Sequence, residues 1–137
     1  MNISEKGIQF IKSNEGLSLK PYPDMGGFSI GYGHHYPPGV YVPSEITEDQ
    51  ATNLLLADLK RVETCLDSLV PADCTQNQYD ALCDFGYNLG IGAMDMMLSH
   101  GWSDVPNQMP RWIYAGGKVN QGLVERRKKE VALFNSP

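Results

Sequence analysis

The stretch from Glu15 to His34 constrains the fold more than any other part of the chain. It holds five glycines and two prolines, so it cannot extend the helical pattern that precedes it. Within it, the residues from Phe28 to Tyr32 alternate between large apolar and small side chains, as the residues of a strand do. The sequence therefore predicts a first helix that ends near Asn14 and is followed by a small hairpin or three-stranded sheet.

Two capping boxes predict where later helices begin. Thr47 and Thr75 each precede a glutamine by three residues, which lets the two side chains bond each other's backbone N–H groups. Apolar residues at helical spacing follow both, and they predict a long helix from about 48 to 69 and a shorter one that ends near Leu89.

The remaining patterns are also helical. Ser4 can cap the first helix, and the methionine-rich stretch 94–98 predicts a short helix packed in the core. We expect the segment after Pro106 to stay helical through Tyr114, and a last helix to cover about 123–134. The fold class is therefore α+β and mainly helical, with a small β-lobe, a long connecting helix and a helical C-terminal lobe.

Composition excludes several classes of function. The 137 residues suit one domain, and their net charge of -5 is the wrong sign for holding nucleic acid. We expect no membrane span, no secretory signal and no metal or other cofactor, because apolar runs are short and the three cysteines match no zinc pattern. We predict that these cysteines are reduced, with a disulfide through Cys74 as the minor alternative.

Three side chains of the predicted hairpin could perform glycoside hydrolysis, which usually needs two carboxyl groups. Glu15 falls at a helix C-terminus, where the helix dipole disfavours a negative charge and favours a proton donor. Asp24 falls in a polar turn that suits an ionised base, and the Ser29 hydroxyl can reach the same water. For each residue alone the favoured interpretation is a solvated helix end, turn or strand position, and the three together shift the balance only modestly toward catalysis.

The hairpin resembles the active-site hairpin of phage lysozymes, the muramidase endolysins of the T-even phage type. The matching residues read Glu-Gly-Leu-x-Leu-Lys-x-Tyr-x-Asp from Glu15 to Asp24 and Gly-x-x-Ile-Gly-x-Gly-His from Gly27 to His34. The family pattern has a threonine six residues after the aspartate, whereas Ser29 lies five residues after Asp24. Further likeness covers most of the chain, in segments that begin at residues 46, 78, 85, 112 and 122.

The resemblance implies one lysozyme-like domain over 1–137, with a β-lobe at about 15–45, a connecting helix at about 47–69 and a helical lobe at about 70–137 that includes the N-terminal helix. It implies cleavage of the β-1,4 bond between N-acetylmuramic acid and N-acetylglucosamine in peptidoglycan, with inversion, in a cleft between the lobes. Glu15 would be the acid, and Asp24 with Ser29 would position water.

Three further residues are expected to support the site. His34 matches a family histidine that is more often structural than catalytic, and we expect it to pair with Asp67 or Asp73. Asn88 could bind a sugar acetamido group or cap its own helix. Arg126 matches a position that approaches the catalytic glutamate in the family, and the alternative is an exposed i,i+4 pair with Glu130. His35 and His100 offer no comparable argument.

The resemblance also implies a life cycle. A monomeric endolysin would collect in the host cytoplasm and reach the peptidoglycan in the periplasm only after a holin opens the membrane. A secreted effector or a tail-associated lysozyme would have the same catalytic residues. Two rival functions remain: a lytic transglycosylase, and a peptidoglycan-binding module without turnover, which the shorter turn before Ser29 motivates.

Overall fold

The computed structural model describes residues 1–137 and is mainly helical, with two small antiparallel sheets. Its elements are α1 (Glu5–Glu15), β1 (Ser18–Asp24), β2 (Gly27–Gly31), β3 (His34–Tyr36), α2 (Glu48–Asp67), α3 (Gln76–Leu89), α4 (Ile91–Leu98), α5 (Val105–Gln108), β4 (Tyr114–Ala115), β5 (Lys118–Val119) and α6 (Gln121–Phe134). Single 3₁₀ turns precede and follow α5. The predicted α+β, mainly helical class is confirmed.

Both predicted capping boxes are present at the starts of α2 and α3. The Thr47 hydroxyl accepts a hydrogen bond from the backbone N–H of Gln50, whose side chain accepts one from the N–H of Thr47. Thr75 and Gln78 repeat this arrangement. Each box satisfies backbone donors that the first helical turn leaves without partners. Local side chains therefore define these two helix starts.

The predicted helix through Tyr114 is wrong. The backbone leaves the α conformation after Gln108, passes through a 3₁₀ turn that contains Pro110, and then forms a short hairpin of β4 and β5. Pro110 has no N–H to donate to a preceding turn, which disfavours a continuous helix. Gly116 and Gly117 both have positive φ angles, of 58° and 79°, which suits the two-residue turn between the strands.

The chain divides into two compact units. The helical unit comprises residues 1–10 and 61–137, and the hairpin unit comprises residues 11–60. The core of the helical unit is formed by buried side chains of α2, α3, α4, α5 and α6, among them Leu66, Tyr79, Leu82, Phe85, Met94, Met97, Val105 and Leu133. Met96, which we expected to be buried with Met94 and Met97, is 60% exposed.

The hairpin unit is organised around the sheet of β1, β2 and β3, in that order, with both pairs antiparallel. Its buried apolar side chains come from α1, the sheet, the following loop and α2, and they are Ile11, Ile30, Tyr32, Ile46, Ala51, Leu55 and Leu59. The predicted three-stranded sheet is confirmed. Since Ile30 of the central strand is fully buried, the register of this sheet is well specified.

Candidate active site

The turn between β1 and β2 places Asp24 at the tip of the sheet. Met25 and Gly26 form the turn with positive φ angles of 50° and 78°, the geometry of a type I′ hairpin, and Asp24 pairs with Gly27. A Cβ atom on Gly27 would lie 2.1 Å from the backbone oxygen of Tyr36. Glycine is therefore required opposite Asp24, because the third strand approaches too closely for a side chain.

The turn between β2 and β3 determines which residue lies beside Ser29. Gly31 and Gly33 have positive φ angles on either side of Tyr32, and the register that results pairs Ser29 with His35. Ser29 also pairs with Tyr22 of β1. Paired residues of neighbouring strands project to the same face, so Tyr22, Ser29 and His35 form one row across the sheet.

A cluster of three polar side chains, Asp24, Ser29 and His35, occupies this face. The Ser29 hydroxyl donates a 2.7 Å hydrogen bond to Oδ2 of Asp24 and lies 3.2 Å from Nδ1 of His35. That ring nitrogen is 3.9 Å from Oδ2 of Asp24. Ser29 is 1% exposed, whereas the side chain of Asp24 is 42% exposed. A buried hydroxyl thus orients a carboxylate that faces solvent.

Glu15 is the last residue of α1, at the predicted position, and its side chain is half-buried. Gly16, with a φ angle of +72°, ends the helix, and its N–H bonds the carbonyl of Lys12. Burial raises the pKa of Tyr22, and the carboxylates of Asp24 and Glu15 raise it further, while the Ser29 hydroxyl opposes the change. The hydroxyl of Tyr22 is therefore within electrostatic reach of both predicted carboxyl groups.

His34 lies in β3 next to His35, but it pairs with Ile30 and so projects to the other face. Its Nδ1 is 2.7 Å from Oδ2 of Asp58 in α2, and its ring packs edge-on against Tyr36 at 4.8 Å between ring centres. The prediction that His34 pairs with Asp67 or Asp73 is wrong, because α2 presents Asp58 to the sheet. The contacts of His34 join β3 to α2 within the hairpin unit.

Arg126 lies in α6 of the helical unit and is buried. Its Nε and one terminal nitrogen donate to the two carboxylate oxygens of Asp84, at 3.0 and 2.9 Å. The alternative of an exposed pair with Glu130 is wrong, because Glu130 is fully buried and lies 2.7 Å from Nε of Arg127. The two-point contact with Asp84 holds the plane of the Arg126 guanidinium in one orientation.

Asn88 is in the last turn of α3, in the helical unit. Its side-chain oxygen accepts a 2.6 Å hydrogen bond from Arg127, so the alternative that Asn88 caps its own helix is not observed. Arg127 also bonds Glu130, whose pKa is raised well above its usual range by burial and by the neighbouring Asp84, with Arg127 acting in the opposite direction. Asn88 therefore belongs to a buried polar network in this unit.

Sequence reasoning missed two members of the hairpin site, His35 and Tyr22. A turn centred on Tyr32 between two glycines would have placed His35 opposite Ser29 and given the signal.

No group of three or more histidine, cysteine or acidic side chains could hold a metal ion, and all three cysteines are free thiols. None of the helices combines the length and the apolar character needed to span a bilayer.

Comparisons with known proteins find relatives that match most of this chain. The family model described as phage lysozyme matches residues 12–130. The endolysin of Bacillus phage PZA is 43% identical over 99% of this chain, and the chain spans 56% of that relative's length. The endolysin of Acyrthosiphon pisum secondary endosymbiont phage 1 is 37% identical over 99% of both chains. Among solved structures, the muramidase domain of SpmX from Asticaccaulis excentricus superposes with a TM-score of 0.87 at 32% identity, over 99% of both chains.

Proposed function

The chain belongs to the phage lysozyme family, and we propose on that basis that it hydrolyses the β-1,4 bond between N-acetylmuramic acid and N-acetylglucosamine in peptidoglycan. The observation that carries the proposal is the hydrogen bond from Ser29 to Asp24 in the hairpin that also follows Glu15. The relatives named endolysin and the neighbour named as a muramidase support the same reaction.

Glu15 is the proposed general acid. It ends α1, where the carbonyl groups of the last turn concentrate partial negative charge and disfavour a second negative charge on the side chain. A protonated carboxyl group there can donate its proton to the glycosidic oxygen as the bond to the leaving sugar breaks. The half-buried position of Glu15 suits a group that must meet substrate while limiting contact with water.

Asp24 is the proposed base, and Ser29 positions water with it. Asp24 is open to solvent on one side and receives the Ser29 hydrogen bond on the other, so one of its oxygens remains available to accept a proton from water. The charge of an ionised Asp24 also stabilises the positive character that develops on the sugar ring. Tyr22 is within electrostatic reach of both carboxyl groups, and we propose that its ring forms part of the wall against which the sugar packs.

We propose that the reaction inverts the anomeric carbon. Asp24 would activate the attacking water instead of forming a covalent bond to the sugar, and water would then enter on the face opposite to the leaving group. Proton NMR of the products within the first minutes of reaction distinguishes the two outcomes: the α-anomer of the new reducing end supports inversion, and the β-anomer would show retention.

Asn88, Arg126 and His34 are proposed to support the site. The amide nitrogen of Asn88 could donate to a sugar acetamido oxygen while its own oxygen remains bonded to Arg127. Arg126 would act from the helical unit, where Asp84 holds its guanidinium in one orientation. His34 would act indirectly, because its bond to Asp58 holds β3, the strand that carries His35, against α2.

The biological partner we propose is bacterial peptidoglycan, met after a holin has opened the host membrane. We further propose that the protein is a monomer, and that it stays in the host cytoplasm until lysis and then acts on the cell wall. Induced expression with and without a holin, followed by culture turbidity, tests it. Rapid clearing only when the holin is present supports this order of events, and equal clearing in both cultures contradicts it.

Zymography and solution digestion of purified sacculi test the reaction itself. We expect clear bands from the wild type and none from Glu15→Gln or Asp24→Asn, because each substitution removes a proton donor or acceptor and keeps the side-chain shape. Glu5→Gln, at the exposed first turn of the same helix, is the matched control and should clear normally.

Mass spectrometry of the released fragments completes the test. Hydrolysis adds one water to each cut, so the products end in a reducing N-acetylmuramic acid. Products with a 1,6-anhydro end would instead identify a lytic transglycosylase. Absence of turnover in the wild type, with binding to sacculi retained, would mean a binding module and would end the proposal.

A further inference from the structure

We propose that His35 is a positioning residue whose Nδ1–H donates a hydrogen bond to the Ser29 hydroxyl oxygen and thereby holds the serine's own proton toward Asp24. His35 lies opposite Ser29 in the pairing of β3 with β2, and its Nδ1 is 3.2 Å from the serine oxygen. This inference rests on the proposed function, because it assigns a role in preparing the water-activating pair.

The direction of each hydrogen bond at Ser29 follows from the protons available there. Ser29 has a single O–H, and its 2.7 Å contact with Asp24 has the length of a bond from a hydroxyl to a carboxylate. An ionised Asp24 can only accept, so the serine proton must lie on the line to Oδ2. The serine oxygen can then only accept from His35, which requires a proton on Nδ1.

Without His35, the serine hydroxyl could donate its hydrogen bond to an acceptor other than Asp24. A hydroxyl rotor can turn toward any acceptor within reach, and the Tyr22 hydroxyl, which hydrogen-bonds Ser29, could take the proton in place of Asp24. The donor on Nδ1 occupies one lone pair of the serine oxygen and selects the orientation in which Asp24 is the acceptor.

The charges around His35 are compatible with this role. Asp24 lies 3.9 Å from Nδ1 and favours a proton on the nearer ring nitrogen. Tyr22 of β1 is a further titratable group on this face, while His34 projects to the opposite face, where it contacts Asp58. The side chain of His35 is 34% exposed, so the ring is only partly accessible to water.

The first test is spectroscopic and does not depend on turnover. Nitrogen-15 NMR of histidine-labelled protein at neutral pH distinguishes a protonated from an unprotonated ring nitrogen. We expect Nδ1 of His35 to be protonated in the wild type and its resonance to shift in Ser29→Ala. An unprotonated Nδ1 in the wild type would overturn the proposal, whatever the enzyme's activity.

The second test is a double-mutant cycle in the digestion of soluble peptidoglycan strands. Loss of one hydrogen bond of ordinary strength predicts a three- to tenfold lower kcat in His35→Ala, with KM changed less than about twofold. In the Ser29→Ala background, His35→Ala should change kcat less than about twofold, because the group through which it acts is absent.

Conservative rescue and a matched control complete the cycle. His35→Asn keeps an N–H donor near the position of Nδ1 and should retain at least half of the wild-type kcat. His100 is exposed and lies outside the hairpin unit, so His100→Ala should leave kcat unchanged. Equal losses from His35→Ala in both backgrounds would overturn the proposal. Failure of the wild type to cut peptidoglycan would instead refute the proposed function, and the NMR result would still decide the hydrogen bond.

Discussion

Replacing Ser4 by alanine should destabilise the protein far more than loss of one surface hydroxyl would suggest. The hydroxyl of Ser4 accepts a 3.0 Å bond from the backbone N–H of Gly7 and so caps the first turn of α1. The same hydroxyl donates to Oδ2 of Asp80, which is fully buried in α3, while the Ser4 N–H donates to Oδ1 at 3.0 Å. One oxygen atom therefore serves two structural purposes.

The expected magnitude follows from those two contacts. Loss of an N-cap costs about 1 kcal/mol. Removal of a donor from a buried carboxylate oxygen costs about 1–3 kcal/mol, and Oδ2 has no other donor to replace Ser4, whereas Oδ1 keeps the backbone bond and one from Gln76. Together they predict a loss of about 2–4 kcal/mol in the free energy of unfolding. That is a large share of the stability of a small domain.

Urea unfolding followed by far-ultraviolet circular dichroism measures this loss. Ser68→Ala is the matched control, since Ser68 is exposed and its hydroxyl bonds only the carbonyl of Cys65, and we expect it to change stability by less than about 0.5 kcal/mol. In an Asp80→Ala background, Ser4→Ala should lower the free energy of unfolding by only about 1 kcal/mol, the cost of losing the N-cap. The reasoning would be refuted if Ser4→Ala matched the control, or if its cost were the same with and without Asp80.

Three further outcomes can be measured on the purified protein. Met25→Asn should stabilise it by about 1 kcal/mol, because Met25 is 86% exposed and has a φ angle of 50° that asparagine tolerates better; lower stability in urea would contradict this. Glu130 has a raised pKa in the folded state, so the free energy of unfolding of the wild type should fall as pH rises from about 4.3 toward that pKa. Glu130→Gln should not show this fall, and parallel pH curves for the two proteins would contradict the prediction. Burial and Asp73 raise the pKa of Cys74 to about 11, so iodoacetamide at pH 8 should label Cys74 far more slowly in the native than in the urea-unfolded protein, and mass spectrometry showing equal rates would refute this.

The helix starts were predictable because their causes are local. Each capping box at Thr47 and Thr75 closes within three residues, so the side chains that define the helix start are neighbours in the sequence. The segment near Tyr114 was mispredicted because an apolar spacing typical of a helix competed with Pro110 and a glycine pair that favour a turn. There, backbone chemistry prevailed over the apolar pattern.

The hairpin residues were predictable for a related reason. Glu15, Asp24 and Ser29 lie within fifteen residues, and a glycine-rich turn must bring Asp24 back toward Ser29. The shorter turn before Ser29, which set this chain apart from the family pattern, still leaves the two side chains in hydrogen-bond contact.

The sequence by itself thus determined the helix caps, the turns and the short-range pairs, since these depend on groups a few residues apart. Only the tertiary structure decided which distant side chains meet. Strand register placed His35 rather than His34 beside Ser29, and a slip of one residue would exchange them. Packing of α2 on the sheet chose Asp58 for His34, and packing of α6 on α3 chose Asp84 for Arg126, because long-range partners are selected by the positions of whole elements.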